Sequence, residues 1–299
     1  MPCPLCDDTG WKPAGDAIDG GSADVPGAST RAASIAPANA VRRVVRCDCW
    51  RENVGRQRLV DARIPKRYQH CTLGNFTAYN ESLEKAVVQA RRVADAFPVV
   101  NRGLLFEGQP GVGKTHIAVA VLKQAIQTTG ARGLFYDVRD LLRVIRSTYD
   151  ASIRTTELEV LRPVMQADLL VLDDLGAEKT SEWVEETMNL IVNTRYNEKR
   201  LTIFTTNYLD IPDVEEPNSL LSRIGHRMRS RLHEMAEFLV LDAADYRELP
   251  ADGGPDDLMT MWKMRKKTLP SPRGGGRQAR AQLRDGKGDL KWSGGRGGS

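Results

Sequence analysis

From residue 101 onward the chain alternates short apolar runs with longer stretches whose apolar residues recur at helical spacing. Leu104-Leu105-Phe106 is a short apolar run. A glycine-rich turn and an apolar-faced helix from about Lys114 to Gln127 follow it. Gly133 to Val138 predicts a second strand, and Asp140 a cap for the helix from Leu141 to Tyr149. Asp168 to Leu172 is a strongly apolar third strand. Ser181 caps a helix to about Glu198, with Val184, Met188 and Ile191 on one face. Leu201 to Thr206 and Phe238 to Leu241 are the fourth and fifth strands. Strands alternating with helices imply an α/β fold, a parallel five-stranded sheet covered by helices on both faces.

Upstream, residues 51–70 are basic and predict a helix ending near Ile64-Pro65. Leu83, Ala86, Val87, Ala90, Val93, Ala94 and Phe97 give residues 81–97 a single apolar face. Between Trp11 and Ala40 the residues are Ala, Gly, Ser, Pro and Asp with almost nothing bulky, so a disordered insert spanning about residues 11–44 is expected. The organisation expected is therefore a cysteine-bearing module at 1–50, a helical linker at 51–100, an α/β core at 101–248, and an extension with a tail at 249–299.

Composition changes the picture at the ends. The 299 residues are 41% hydrophobic and 27% charged, so a large core can be buried, and no run is long and apolar enough to span a membrane. The first residues lack a basic-then-apolar leader, which makes a cytoplasmic, reducing location the expectation. The net charge is +4, but Lys263 to Ser299 holds eleven Lys/Arg against Asp285 and Asp289, a net of +9 that leaves the rest at −5. That low-complexity tail, with Trp292 in it and Trp262 just before it, is expected to be disordered and either binds an anionic partner or solubilises the chain.

The chemistry centres on Gly108-Gln109-Pro110-Gly111-Val112-Gly113-Lys114-Thr115, which fits G-x-x-x-x-G-K-[ST] with a strand before it and a helix after it. Such a loop wraps backbone N–H groups around phosphates at a helix N-terminus. Lys114 would reach the β- and γ-phosphates of a nucleotide, and the Thr115 hydroxyl would ligate Mg²⁺. Asp173 and Asp174 end an apolar strand, where Asp173 would hold Mg²⁺ and Asp174 would orient or deprotonate the attacking water. Asn207 ends the next apolar strand, near the γ-phosphate; an ordinary turn residue is the other reading. Arg223, Arg227, Arg229 and Arg231 form either a solvated helix face or a source of an arginine finger for a neighbouring subunit.

Together these pieces resemble the DnaC/DnaI/IstB group of AAA+ ATPases. The resemblance rests on the phosphate loop running into Thr115-His116, Leu169 to Gly176, Thr205-Thr206-Asn207 and the block from Ser222 to Leu232, with Ile64 to Tyr68 and Leu73 to Phe76 upstream. It covers roughly residues 60–248 and implies an AAA+ (ASCE-type) P-loop NTPase that loads a hexameric replicative helicase onto single-stranded DNA, self-assembling in the ATP state. It makes Lys114 and Thr115 Walker A residues, Asp173 and Asp174 Walker B, Asn207 sensor 1, Arg231 the best arginine-finger match and Arg227 the second. Asp174 stands where many AAA+ proteins have Glu, which points to slow turnover. Beyond Arg231 only a strand and the tail are expected, with no helical lid, so a sensor 2 arginine is not assignable and Arg247 is a weak candidate. An IstB-like transposition helper and a non-hydrolysing, ATP-binding zinc adaptor are the alternatives.

Cys3 and Cys6 form a C-x₂-C pair, and Cys47 and Cys49 a C-x-C pair, a donor set suited to tetrahedral Zn²⁺. Closing the 40-residue gap between the pairs costs ~3 kcal/mol, against ~10–16 kcal/mol for structural zinc in peptides. Free thiols or a redox pair are the other readings. Cys71 reads as a core thiol, and His70, His116, His226 and His233 lack ligand-like spacing to the Cys pairs. Arg139, Arg143 and Arg146 could contact DNA phosphates or form a solvated face.

Overall fold

The computed structural model describes residues 3–7, 9, 11–13, 44–150, 152, 154–212, 216, 218–250 and 252–268. Most of the insert and the tail beyond 268 lie outside the described residues.

The central sheet has the order β4-β5-β6-β3-β7, all parallel: β3 (Gly103–Glu107), β4 (Gly133–Asp137), β5 (Leu169–Asp173), β6 (Leu201–Thr206) and β7 (Ala236–Val240). β3, β5 and β6 are buried at every position, because both faces are covered. Successive side chains divide between two cores. Leu104, Phe106, Leu169, Val171 and Ile203 join one. Leu105, Leu170, Leu172 and Phe204 join the other. The first core is covered by α2 (Glu81–Ala96) and α3 (Lys114–Thr129), with α1 (Asp48–Asp61) packed on α3. The second lies under α4 (Val138–Ser147), α5 (Glu157–Gln166), α6 (Glu182–Asn197) and α7 (Leu220–Met235).

Local chemistry fixes the element starts. Asn80 caps α2 by accepting the Leu83 N–H, and Ser181 caps α6 by accepting that of Val184. Thr156 and Glu159 form a reciprocal capping box on α5, which tolerates Pro163 in its interior. Asp137, rather than Asp140, caps α4: its carboxylate accepts the N–H groups of Arg139 and Asp140 directly at the end of β4. The basic helix expected over 51–70 ends at Asp61, and a separate 3-10 turn covers Lys66–Tyr68.

Two features depart further from expectation. β1 (Trp11–Pro13) and β2 (Val44–Arg46) pair antiparallel, in register Pro13↔Val44, at the two ends of the insert. Beyond β7 a 3-10 turn (Tyr246–Glu248) and the helix α8 (Pro255–Thr268) follow, where only a strand and tail were expected. Leu258 of α8 is buried, and Arg265 donates to the Ala243 carbonyl, so the helix is fastened to the segment leaving the sheet. None of the described helices is long and apolar enough to cross a membrane.

Candidate functional site

The carboxyl ends of β3, β5 and β6 meet at one edge of the sheet, where ligands bind in open α/β folds. A cavity of about 1010 Å³ opens there, lined by Pro110 to His116 together with Asp173, Asp174 and Asn207. Gly108 and Gln109 do not line it; their carbonyls accept from Lys114. The segment from Pro65 to Tyr79 forms one wall and Ala244, Tyr246, Arg247 and Leu258 another.

Lys114 is buried, and its Nζ donates to the carbonyls of Gly108 and Gln109 and to Asn207 Oδ1, each at 2.8 Å. Burial pulls its pKa down to about 8, opposed by Asp174 and Asp173 and reinforced by the Arg247 charge. Thr115 Oγ1 donates to Asp173 Oδ1 at 2.9 Å, and Thr205 Oγ1 donates to the same oxygen at 2.6 Å. Burial raises Asp173 to about 6, although both hydroxyl contacts favour the carboxylate. The site is thus a buried cation and a buried carboxylate, each carried at a cost that an incoming opposite charge would relieve.

Asp174 adopts φ 58, a backbone region uncommon for a non-glycine residue. Its N–H donates to Thr205 Oγ1 at 2.9 Å, one carboxylate oxygen accepts from Asn207 Nδ2 at 3.0 Å, and the other lies 3.5 Å from Arg139. Arg139, a half-exposed side chain, thus faces the Asp174 carboxylate. Arg143 pairs with Asp140 at 2.9 Å, and the Arg146 guanidinium lies over the Trp183 ring at 4.7 Å.

The phosphate loop is clamped from outside. Gly111 has φ +79, and a Cβ there would lie 1.6 Å from Asp245 Oδ1. The Tyr246 N–H donates to the Gly111 carbonyl, so the turn bearing Arg247 rides on the loop. Arg247, only a weak candidate from sequence, lines the cavity. His116 contacts the Thr72 carbonyl and Asn75 Oδ1, both at 3.0 Å, and Lys123 donates to the Gln69 and Cys71 carbonyls, which stitches the 69–75 segment to α3. Cys71 is buried beside this wall.

Arg227 and Arg231 do not reach this cavity. They line a groove between α6 and α7 with Glu182, Glu185, Glu186, Asn189, Leu190 and Asn193. Sequence reasoning missed the Thr205 contacts with Asp173 and Asp174 and the Arg139 contact; polar residues inside an otherwise apolar strand were the available signal for Thr205.

At the other end of the chain the four thiols of Cys3, Cys6, Cys47 and Cys49 lie within 4.8 Å of one another. Cys3 and Cys47 sulfurs are 3.7 Å apart and those of Cys6 and Cys49 3.1 Å. A tetrahedral Zn²⁺ with ~2.3 Å bonds needs sulfur separations of about 3.8 Å, so the donor set fits the ion with a small expansion. As thiols they crowd one another: contact with Cys6, then burial, pushes the Cys49 thiol well above its ordinary range.

A family model described as IstB-like ATP binding protein matches residues 41–214. The Replicative helicase loader DnaC of Escherichia coli (strain K12) is 31% identical over 163 residues, which span 54% of this chain and 64% of that protein. The corresponding protein of Buchnera aphidicola subsp. Schizaphis graminum is 30% identical over 166 residues, 56% of this chain and 66% of that one. The chain thus covers just under two thirds of the length of these relatives. A crystal structure of the DnaC helicase loader superposes with a TM-score of 0.53 at 38% identity, covering 59% of this chain and 99% of that one.

Proposed function

The chain belongs to the IstB-like ATP-binding family of DnaC/IstB-type AAA+ ATPases, and from that premise we propose that it is an ATP-dependent loader of a hexameric replicative helicase. The observation that supports this most is the convergence of Lys114, Thr115, Asp173, Asp174 and Asn207 on one cavity in a chain 31% identical to a protein named as such a loader.

On this reading residues 101–248 are the ATPase core, 51–100 the linker that walls the nucleotide cavity, 1–50 the metal-bearing module that docks on the helicase, and 249–299 an extension whose tail adds contacts to single-stranded DNA. Backbone N–H groups of Gly111 to Thr115 hold the phosphates, and Lys114 exchanges its carbonyl contacts for phosphate oxygens. Thr115 and Asp173 hold Mg²⁺, which supplies charge neutralisation across the phosphates. Asp174 orients the lytic water and accepts its proton, and Asn207 aligns the γ-phosphate. Arg231, with Arg227 beside it, serves the neighbouring subunit's site, in keeping with its absence from the chain's own cavity. Zn²⁺ on Cys3, Cys6, Cys47 and Cys49 supplies a structural cross-link between the two ends of the module.

The test is co-elution. The full-length protein is mixed with the host's hexameric helicase and ATP, beside a Cys3→Ser/Cys6→Ser variant. Co-elution lost in the variant is expected. No co-elution under any nucleotide condition overturns the loader reading, and a transposase becomes the partner to test. Equal near-zero ATP turnover by wild type and Asp174→Asn, with DNA and helicase present, would leave an ATP-binding adaptor instead.

A further inference from the structure

The loop that leaves β6 after Asn207 is held by α7 at two points. The Arg223 guanidinium lies over the Tyr208 ring at 4.6 Å. Three residues beyond Asn207, the Asp210 carboxylate accepts Arg229 Nε at 2.5 Å, Arg229 Nη2 at 2.9 Å and contacts His233 Nε2 at 2.9 Å. Its side chain is only 9% exposed. The Asp210 N–H donates to the carboxylate of buried Glu107, the residue before the phosphate loop, at 2.6 Å.

Between these two points α7 is broken. Gly225 has φ 75 and ψ 164, which no helix accommodates, so 220–224 and 226–235 are separate segments joined at a glycine. Arg223 precedes the break, and Arg229 and His233 follow it. The sensor loop therefore grips both sides of a hinge.

Helical spacing then orients the second segment. Positions 227 and 231 share a face at i, i+4, and position 229 lies about 200° round from 227. The arginine seated on Asp210 fixes the rotation of the segment, and so the direction in which Arg227 and Arg231 are offered. The buried Met228 and Leu232 hold it to the core, but the bidentate fork of Arg229 is the contact with directional geometry.

We infer that Asp210 is a positioning residue that carries the state of the chain's own phosphate site, through Asn207, to the half-helix bearing Arg227 and Arg231. Lys114 now donates to Asn207 Oδ1 at 2.8 Å. A phosphate competes for that ammonium, the Asn207 contact is rebuilt, and the loop to Asp210 passes the shift across the Gly225 hinge. The inference rests on the ATPase reading above and adds a cis connection between one subunit's nucleotide and the arginine it offers to the next.

Full-length Asp210→Asn tests it in three ways. Affinity for a fluorescent ATP analogue should stay within about twofold, while turnover falls by at least about tenfold, because misdirecting an arginine finger loses part of its ~10³–10⁵. Mixing with Asp174→Asn subunits, which keep Lys114, Asn207 and α7 and so bind ATP without hydrolysing it, should restore turnover. Hydrogen exchange over 226–235 should change on adding Mg-ATPγS to wild type and not to Asp210→Asn. Arg229→Lys, which keeps the charge without the fork, should show the same pattern more weakly, and it carries the test if Asp210→Asn does not fold.

Wild-type turnover in Asp210→Asn overturns the inference. So does a loss that Asp174→Asn subunits do not restore. If wild type proves to have no turnover, the ATPase reading fails separately, and the exchange experiment decides: a nucleotide response over 226–235 that survives Asp210→Asn overturns the coupling.

Discussion

Arg195 offers a stability prediction whose size follows from its contacts. It is 0% exposed. Its guanidinium donates to Thr202 Oγ1 at 2.8 Å, to the carbonyls of Val164 and Ala167 at 2.9 Å, to that of Met165 at 3.2 Å, and to that of Leu201. It thereby ties the end of α5 to the start of β6, at the edge of the sheet opposite the nucleotide. Burial lowers its pKa to about 9, so the cation persists at neutral pH, neutralised by carbonyl dipoles. Arg195→Met keeps most of the volume and removes every donor. Three buried carbonyls, at Val164, Ala167 and Leu201, would lose this partner at ~1–3 kcal/mol each. Part of that is returned because no charge is buried any longer, leaving a net loss of about 2–4 kcal/mol. Arg195→Lys, with one ammonium and no planar fork, should lose about half as much. Both native and unfolded Arg195 are protonated below pH 8, so the loss should be the same from pH 6 to 8. Urea unfolding followed by circular dichroism measures it, as a shifted midpoint with an unchanged slope. A loss below ~1 kcal/mol, or a lysine variant as stable as wild type, would refute the view that the guanidinium satisfies these carbonyls.

Other expectations are closer to the site. Gly111→Ala forces a Cβ into Asp245 at a left-handed φ, so affinity for a fluorescent ATP analogue should fall at least about tenfold; an unchanged titration would show that the clamp is not rigid. Cys6→Ser should lower bound zinc from about one equivalent to a small fraction after dialysis against a weak chelator, and retention of a full equivalent would rule out the four-sulfur site. Burial raises the Glu107 pKa, so above it wild type carries a buried charge. Glu107→Gln keeps an acceptor for the Asp210 N–H, and its melting temperature should exceed that of wild type at pH 8. The advantage should vanish towards pH 4, where the acid is protonated in both states. A gain that does not depend on pH would contradict this.

The sheet was legible because β3, β5 and β6 are short apolar runs, each followed by a chemically distinctive residue. The phosphate loop, Asp173, Asp174 and Asn207 were legible for the same reason. What escaped shares a different character. Arg195 sits among polar helix residues and reads as a solvated side chain, since nothing local reveals that four carbonyls, from the end of α5 and the start of β6, converge on it. Arg139 reads as a free cation because its partner, Asp174, is distant in sequence and reached only through the β4–β5 pairing. α5 was hidden by Pro163, which would end a helix in most contexts. α8 was hidden by a weak apolar face that packs only once the chain has turned back from the sheet. Asp140 looked like a cap because it precedes an apolar run, but Asp137 occupies the position where the strand stops.

The register of Pro13 with Val44 has a practical side. Whatever lies between them leaves and re-enters the module at a single point, through a two-stranded stem anchored next to the cysteines. Halving or doubling the length of such a segment changes its closure by only ~0.6 kcal/mol. By closure entropy alone, then, a change in the number of residues between Pro13 and Val44 costs the stem and the thiols beside it little. A fluorescent or affinity tag placed there would report on the docking module from within and leave both termini untouched.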